Sequence, residues 1–549
     1  MASALCLAGC ATDIMEADDV EMTYKYDEND EDESGNADSE GSQDSSGSID
    51  DLIPNTKSET FTISKAKEML SIGDGVGSVT LNNVKGKSVY VISQNNTKKT
   101  INTARAMTIA SLAATGRAAV KKQADISDTE TELEDYNGFS AVVQVPVTVN
   151  SVGVKESGRA ASGRSSIGAA PHIGSQKSIF VDANEALTKF TKKKAKVEYE
   201  GKYCYIWSIV DDKILDSVSC KNMADSFDEY YLEMRSIFGK ESDKIYVYNS
   251  GFKLDDMKKH TDTGTKVNII VYSMSKPTTI GYFHSKDYYE TEEELSSTTG
   301  KLYSENSSTR YSNGGKYFYI NYRYASGTFQ EKTLATSTLL HEFQHMIHFS
   351  VKNMAGLKPS AWYNEMLSML AEDIFATRLN TGIKAPSVMR MGSFHKNYYK
   401  SGLTDFSTTY AYGTSYSFGG WLVRNFGGVN LVHLMMTNNK VDEDSIVAAV
   451  NTFSPKKYDF DTLFNEYVDD CVNSRNFNIR LTGTADVNEK NYTLNPITNT
   501  PIVSPVDKSL GADVGPYGFV VRQVEVSGSS CTFELSERTS RERVHIIVK

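Results

Sequence analysis

The sequence predicts a multidomain α+β protein in which a mixed sheet and a helical subdomain are flanked by β domains at both ends. Three observations carry this. At 549 residues the chain exceeds what one hydrophobic core usually supports, so several domains are expected. Runs such as Ser88-Val89-Tyr90-Val91-Ile92, and Val142 to Val149, have the alternation and β-branched content of strands. From Trp362 to about Asn473, apolar residues recur instead at helical spacing.

The elements follow in chain order. Ala4-Leu5-Cys6-Leu7-Ala8-Gly9-Cys10 resembles the lipobox of a bacterial lipoprotein, which implies that residues 1–10 are a signal remnant and that Cys10 carries acyl chains. Residues 11–60 hold seventeen Asp and Glu against two Lys, a local charge of −15 that leaves about +3 for the rest of a chain whose net charge is −12. This Ser- and Gly-containing stretch reads as a disordered, self-repelling spacer. It would hold the folded domains off a membrane surface. Residues 61–152 read as a β domain with a helix around Ile101 to Ala114, and 153–176 as a Gly-, Ser- and Arg-rich linker open to trypsin-like cleavage. The central domain spans 177–480. Its expected strands are Lys196 to Ile209, Lys244 to Tyr248 and Val267 to Tyr272, and a helix from Phe227 is expected behind a Ser226-x-x-Glu229 capping box. Tyr317 to Tyr324 reads as an edge strand able to bind an extended peptide by strand addition. Residues 481–549, with short strands and Pro and Gly turns, read as a C-terminal β domain.

The chemistry concentrates at His341-Glu342-Phe343-Gln344-His345. Histidines at i and i+4 leave one helical face and can converge on one Zn²⁺, while the intervening Glu342 is placed to act as general base toward water. A hydrolytic zinc site needs a third protein ligand. Glu365 supplies it after nineteen intervening residues, on a second helix reached by a loop around Gly356 and Pro359. Glu365, Ser368 and Glu372 share a face, so Glu372 can accept the second N–H of a ligating histidine. His348 is expected to pack or to act behind the ligands, because three ligands along one straight helix cannot form a tetrahedron.

HEFQH followed by NEMLSMLAED resembles the gluzincin clan of zinc peptidases and, within it, the hyicolysin family, best over Lys196 to Gly428. The resemblance implies a gluzincin-type catalytic domain, with zinc on His341, His345 and Glu365 and with Glu342 as general base. Two departures matter. Met369 stands where the thermolysin-like pattern has an acidic residue, and the Gly-x-Met-Glu-Asn segment that reads a free amine in the aminopeptidase branch is missing upstream of His341. Endopeptidase is the expected activity.

An oxyanion donor is expected from the segment Tyr410 to Trp421, which resembles the stretch carrying the transition-state tyrosine in related gluzincins. Tyr412 is favoured, then Tyr410, then Tyr416, with His433 as a further candidate. Cys204, Cys220, Cys471 and Cys531 leave disulfides open, Cys204 with Cys220 being the pairing to test against ordinary buried thiols.

The expectation is an extracytoplasmic zinc endopeptidase of the bacterial cell envelope, attached to the membrane by lipid and acting on protein or peptide substrates. No run approaches the ~20 apolar residues of a membrane-spanning helix. Nucleic-acid binding has no compositional support. The rival is a non-catalytic surface lipoprotein that binds a host or matrix protein on a vestigial metallopeptidase scaffold. The sequence leaves the oligomeric state open.

Overall fold

The computed structural model describes residues 52–102, 108–111, 140–143, 170–248, 258–259, 266–305, 307–473, 482–485, 490–497, 503–506, 513–526, 528–535 and 537–549. Cys10, nearly all of the acidic spacer and most of the Arg-rich linker lie outside them. The described residues form a mixed α/β structure, and from Ser48 onward the chain is one unit.

The first strands are β1 (Lys57–Thr62), β2 (Glu68–Ile72), β3 (Val76–Asn82), β4 (Ser88–Asn95), β5 (Ile101–Asn102) and β6 (Thr108–Ser111). The helix expected around Ile101 is therefore replaced by strand at β5 and β6. The spacer also ends sooner than expected, since β1 begins at Lys57.

A seven-stranded sheet follows. It contains β7 (Ser140–Val143), β8 (Gln176–Asp182), β9 (Phe190–Glu200) and β10 (Cys204–Ile209), then, beyond the small hairpin of β11 (Lys244–Ile245) and β12 (Lys258–Lys259), β13 (Val267–Tyr272), β14 (Gly281–His284) and β15 (Tyr317–Asn321). Its order is β7-β14-β15-β13-β10-β9-β8, with β10, β13 and β15 parallel and β14 antiparallel to β15. Alternation sorts its side chains. Ile206, Ile269 and Phe318 join the core under the helices, while Trp207, Ile270 and Tyr319 fill a second core on the opposite face. Tyr317 to Asn321 is thus interior, not the edge that was expected. All five of its residues are buried, and the free side of β14 is taken by β7 of the same chain.

The helices are α1 (Ser217–Phe238), α2 (Glu292–Thr299), α3 (Tyr322–Ala325), α4 (Phe329–Val351), α5 (Ala361–Leu379), α6 (Pro386–Asn397), α7 (Ala411–Asn425), α8 (Val429–Thr437), α9 (Asp442–Phe453) and α10 (Phe460–Asn473). The expected start of α1 was wrong by ten residues. Asp216 caps it by accepting from Ser219 N at 2.9 Å, leaving Ser226 and Phe227 inside the helix. Asn321 ends β15 and caps α3, and Thr328 opens α4 through a capping box with Glu331.

The chain ends with β16 (Thr482–Ala485), β17 (Lys490–Thr493), β18 (Asp513–Val514), β19 (Gly518–Glu525), β20 (Ser530–Glu534) and β21 (Glu542–Val548). These do not form the separate C-terminal domain that was expected. β20 inserts between β3 and β6, β21 between β4 and β2, and β19 beside β4. The two sheets share one apolar core that includes Val79, Val91, Phe533 and Ile546. Neither end has enough strands to cover its own apolar face, so both complete a single sandwich. That sandwich packs on the helices through Phe519, whose ring centroid lies 5.0 Å from that of Tyr398. All four described cysteines are buried free thiols, so Cys204 and Cys220 are not bridged. No described helix is long and apolar enough to cross a membrane.

Candidate metal centre

Two helices build the site. α4 runs beneath the sheet where Gly281 of β14 admits it: a Cβ there would stand 2.8 Å from the Thr338 methyl, one turn before His341. α5 returns alongside α4, and α7 packs on α5 where Gly419 faces Met366. The pattern that places His341 and His345 on one face, and Glu365 opposite them, is therefore realised by two close-packed rods.

The three expected ligand residues come together, fully enclosed. Glu365 Oε2 lies 3.2 Å from His341 Nε2 and 3.6 Å from His345 Nε2, and ligand atoms of all three residues fall within 4.8 Å of one another. Adjacent corners of a tetrahedron with bonds of about 2.0–2.1 Å are separated by roughly 3.3 Å, so the observed edges suit a small divalent ion. The outer nitrogens are fixed as well. His341 Nδ1 donates to Glu372 Oε1 at 2.8 Å, and Glu372 Oε2 accepts from Ser337 Oγ at 2.9 Å. His345 Nδ1 is 2.8 Å from Ser368 Oγ, which itself donates to Gln344, and 3.1 Å from Asn364 Oδ1. With both Nδ1 atoms engaged as donors, Nε2 is the atom of each ring left to bind a metal ion, and in both rings it faces Glu365. His345 Nε2 is buried and has no hydrogen-bond partner among the described residues. A metal ion would use that lone pair.

Electrostatics agree with a cation site. Burial opposes charge on His341, but its bonds to Glu365 and Glu372 prevail and raise its pKa to about 10. Burial likewise opposes the Glu365 carboxylate, yet the two histidines hold it down at about 2. His345 is lowered, burial being the main cause. The carboxylates thus demand positive charge at one place, which a proton or a metal can meet. Glu342 is buried in the same turn of α4. His348 is kept out of the cluster, as expected: buried against Tyr363, it is held neutral by desolvation.

The tyrosines separate clearly. Tyr416 is fully buried beside the ion pair of Arg424 Nη1 with Asp373 Oδ2, 2.9 Å long, and burial drives its hydroxyl pKa well up. Tyr410 is the N-cap residue of α7, half-exposed, with Lys400 Nζ 3.3 Å from its hydroxyl. Tyr412 lies in the first turn of α7, its ring against Phe406 and under Arg390, whose guanidinium carbon is 4.9 Å from the ring centroid. The positive charge of Arg390 also helps keep the Glu372 carboxylate ionised, burial opposing this and the His341 bond favouring it. His433, on α8, donates from Nδ1 to the Ile237 carbonyl at 3.0 Å and serves the packing of α8 on α1.

Ser337 and Asn364 are the residues bonded to the site that sequence reasoning did not name. Helical spacing puts Ser368 on the face of Glu365 and could have named Asn364, four residues before Ser368. No protein-family model and no curated protein matches this sequence.

Proposed function

We propose that the chain is a zinc endopeptidase of hyicolysin-like gluzincin type, acting on extracellular proteins or peptides. The observation that supports it best is the enclosed His341–His345–Glu365 set, in which Glu365 Oε2 lies 3.2 and 3.6 Å from the two Nε2 atoms. These residues would hold the ion, which supplies Lewis acidity toward a carbonyl oxygen and toward water. Glu342, one residue from His341, takes the proton of the attacking water and returns it to the departing amine. Tyr412 donates to the oxyanion that develops on the substrate carbonyl. Glu372, Ser368 and Asn364 orient the imidazoles, so little reorganisation is needed as charge moves.

Metal analysis and a peptide-library digest test this together. One zinc per chain and metal-dependent cleavage are expected. Glu342→Gln should keep the metal while hydrolysis drops by at least ~10²-fold. A Gln variant with unchanged turnover would sink the mechanism and leave only a metal-binding protein.

The lipobox-like start supports a lipid anchor on Cys10, which would hold this activity at the bacterial cell envelope or surface, outside the cytoplasm. Cys10→Ala should move the protein from the membrane fraction to the soluble one with its activity intact. Continued membrane association would refute the anchor.

A further inference from the structure

We infer that the outer edge of β14 is where an extended peptide adds to the sheet, and that residues 140–143 of the chain itself hold this edge as β7, so that substrate must displace a built-in competitor. This rests on the endopeptidase reading. The first support is the course of β14 along α4. Gly281 faces the Thr338 methyl, and the ring centroid of Phe283 lies 5.9 Å from that of Phe349. Thr338, His341, Glu342, His345 and Phe349 are spaced i, i+3, i+4, i+7 and i+11, so they form one stripe of the helix. Both ends of that stripe touch β14. The two histidine ligands and the base lie between the contacts.

The second support is what already sits on this edge. β15 takes one side of β14, from Gly281 to Phe283, and β7 takes the other, from Gly281 opposite Ser140 to His284 opposite Val143. β7 also touches α4. Backbone pairing with a sheet edge is a general way to bind an extended peptide, because it needs no particular side chains. Residues 140–143 thus make, beside the ligand helix, the contact that a substrate strand would make.

The hold is also a light one. β7 has four residues and, among the described residues, pairs with β14 alone. β8, at the opposite edge of the sheet, is likewise held on one side, but by seven antiparallel pairs. β7 pairs in parallel, the less stable arrangement per residue. A short parallel strand at an edge is the part of this sheet most open to exchange for another strand.

The test uses the full-length protein loaded with zinc. Successive residues of a strand bond to opposite sides, so replacing both Ala141 and Val142 by Pro removes an N–H from the β14 side whichever of the two supplies it. In Ala141→Pro/Val142→Pro, with zinc content retained, KM for library peptides should fall about 10-fold with kcat unchanged, since a competitor tethered at roughly millimolar effective concentration acts on binding alone. Val142→Gly/Val143→Gly keeps every N–H, weakens the strand and should give a smaller fall. Binding is read separately in Glu342→Gln protein with a fluorescent peptide of the sequence of residues 138–145. The double-proline form should bind this peptide about 10-fold tighter than the form with β7 intact. Unchanged or raised KM in both strand variants, or equal peptide binding by the two forms, would overturn the inference and leave the peptidase reading standing, with β7 a permanent part of the sheet. If no form cuts the library, the peptidase reading falls, and the fluorescent peptide alone decides whether the edge of β14 accepts a strand.

Discussion

Glu372 makes the metal site a matter of three helices, because its two oxygens join His341 and Ser337 of α4 to α5 while the charge of α6 bears on it through Arg390. Glu372→Gln should weaken metal binding by about 10- to 100-fold in chelator competition, the usual cost of losing a carboxylate behind a ligating histidine. Glu365→Ala, which removes a ligand outright, should leave no stoichiometric zinc in elemental analysis. The tyrosines give a sharper contrast. Tyr412→Phe should lower kcat by ~10²-fold or more with KM and zinc unchanged, as expected for a donor that acts in the transition state. Tyr416→Phe, beside the Asp373–Arg424 pair, should leave kcat alone and lower the melting temperature. If the two variants exchanged these phenotypes, the placement of the donor would be wrong. At this scale the sequence was most legible where chemistry needs a fixed helical spacing, as for His341, His345, Glu365 and Glu372. Ser337 carried no such signal, since it meets Glu372 only because α4 and α5 pack side by side.

Close packing of elements is what sets the ligand distances, and two glycines beside the ligand helices show it. On Gly281 a Cβ would be 2.9 Å from the Tyr319 carbonyl oxygen, which the interior strand β15 cannot move, as well as 2.8 Å from Thr338 on α4. Gly419 would meet Met366 Cγ at 2.6 Å, a side chain with several rotatable bonds. Gly281→Ala should therefore destabilise by about 1–3 kcal/mol in thermal or denaturant unfolding, and Gly419→Ala by less. Equal losses would mean that the backbone around β15 relaxes freely. The same scale shows why some elements were misread. Ser226-x-x-Glu229 has the composition of a helix start but sits mid-helix, because Asp216 caps the chain earlier in a polar stretch that reads as loop. The aromatic run at Tyr317 identifies a strand correctly, yet periodicity says nothing about its neighbours, and parallel pairing with β13 put it inside the sheet.

At the scale of the whole molecule, the central α/β part was legible and the ends were not, since two β-rich termini look the same in sequence whether they fold apart or together. Their union makes one histidine a probe of the sandwich. His545 of β21, with Ser71 Oγ of β2 3.2 Å from its Nδ1, has its pKa pushed from 6.5 down to about 4 by burial and by Arg543. The unfolded chain binds this proton first. Stability from this group is therefore complete above pH 6.5, falls as pH drops toward 4 and then levels, a change on the order of 3 kcal/mol. Denaturant unfolding of His545→Gln should show a flatter acid limb than the parent, and parallel limbs would mean that the ring is solvated. Ser71 and His545 are also 474 residues apart in the chain. During synthesis, β1 to β4 leave the ribosome with open edges and an uncovered apolar face, and they stay so until β19, β20 and β21 have been made. The helices that carry His341, His345 and Glu365 are complete long before then. A premature stop near Val506 should accordingly yield a chain that aggregates through its first hundred residues although every ligand residue is present, and supplying residues 513–549 as a separate peptide during refolding should return it to the soluble fraction.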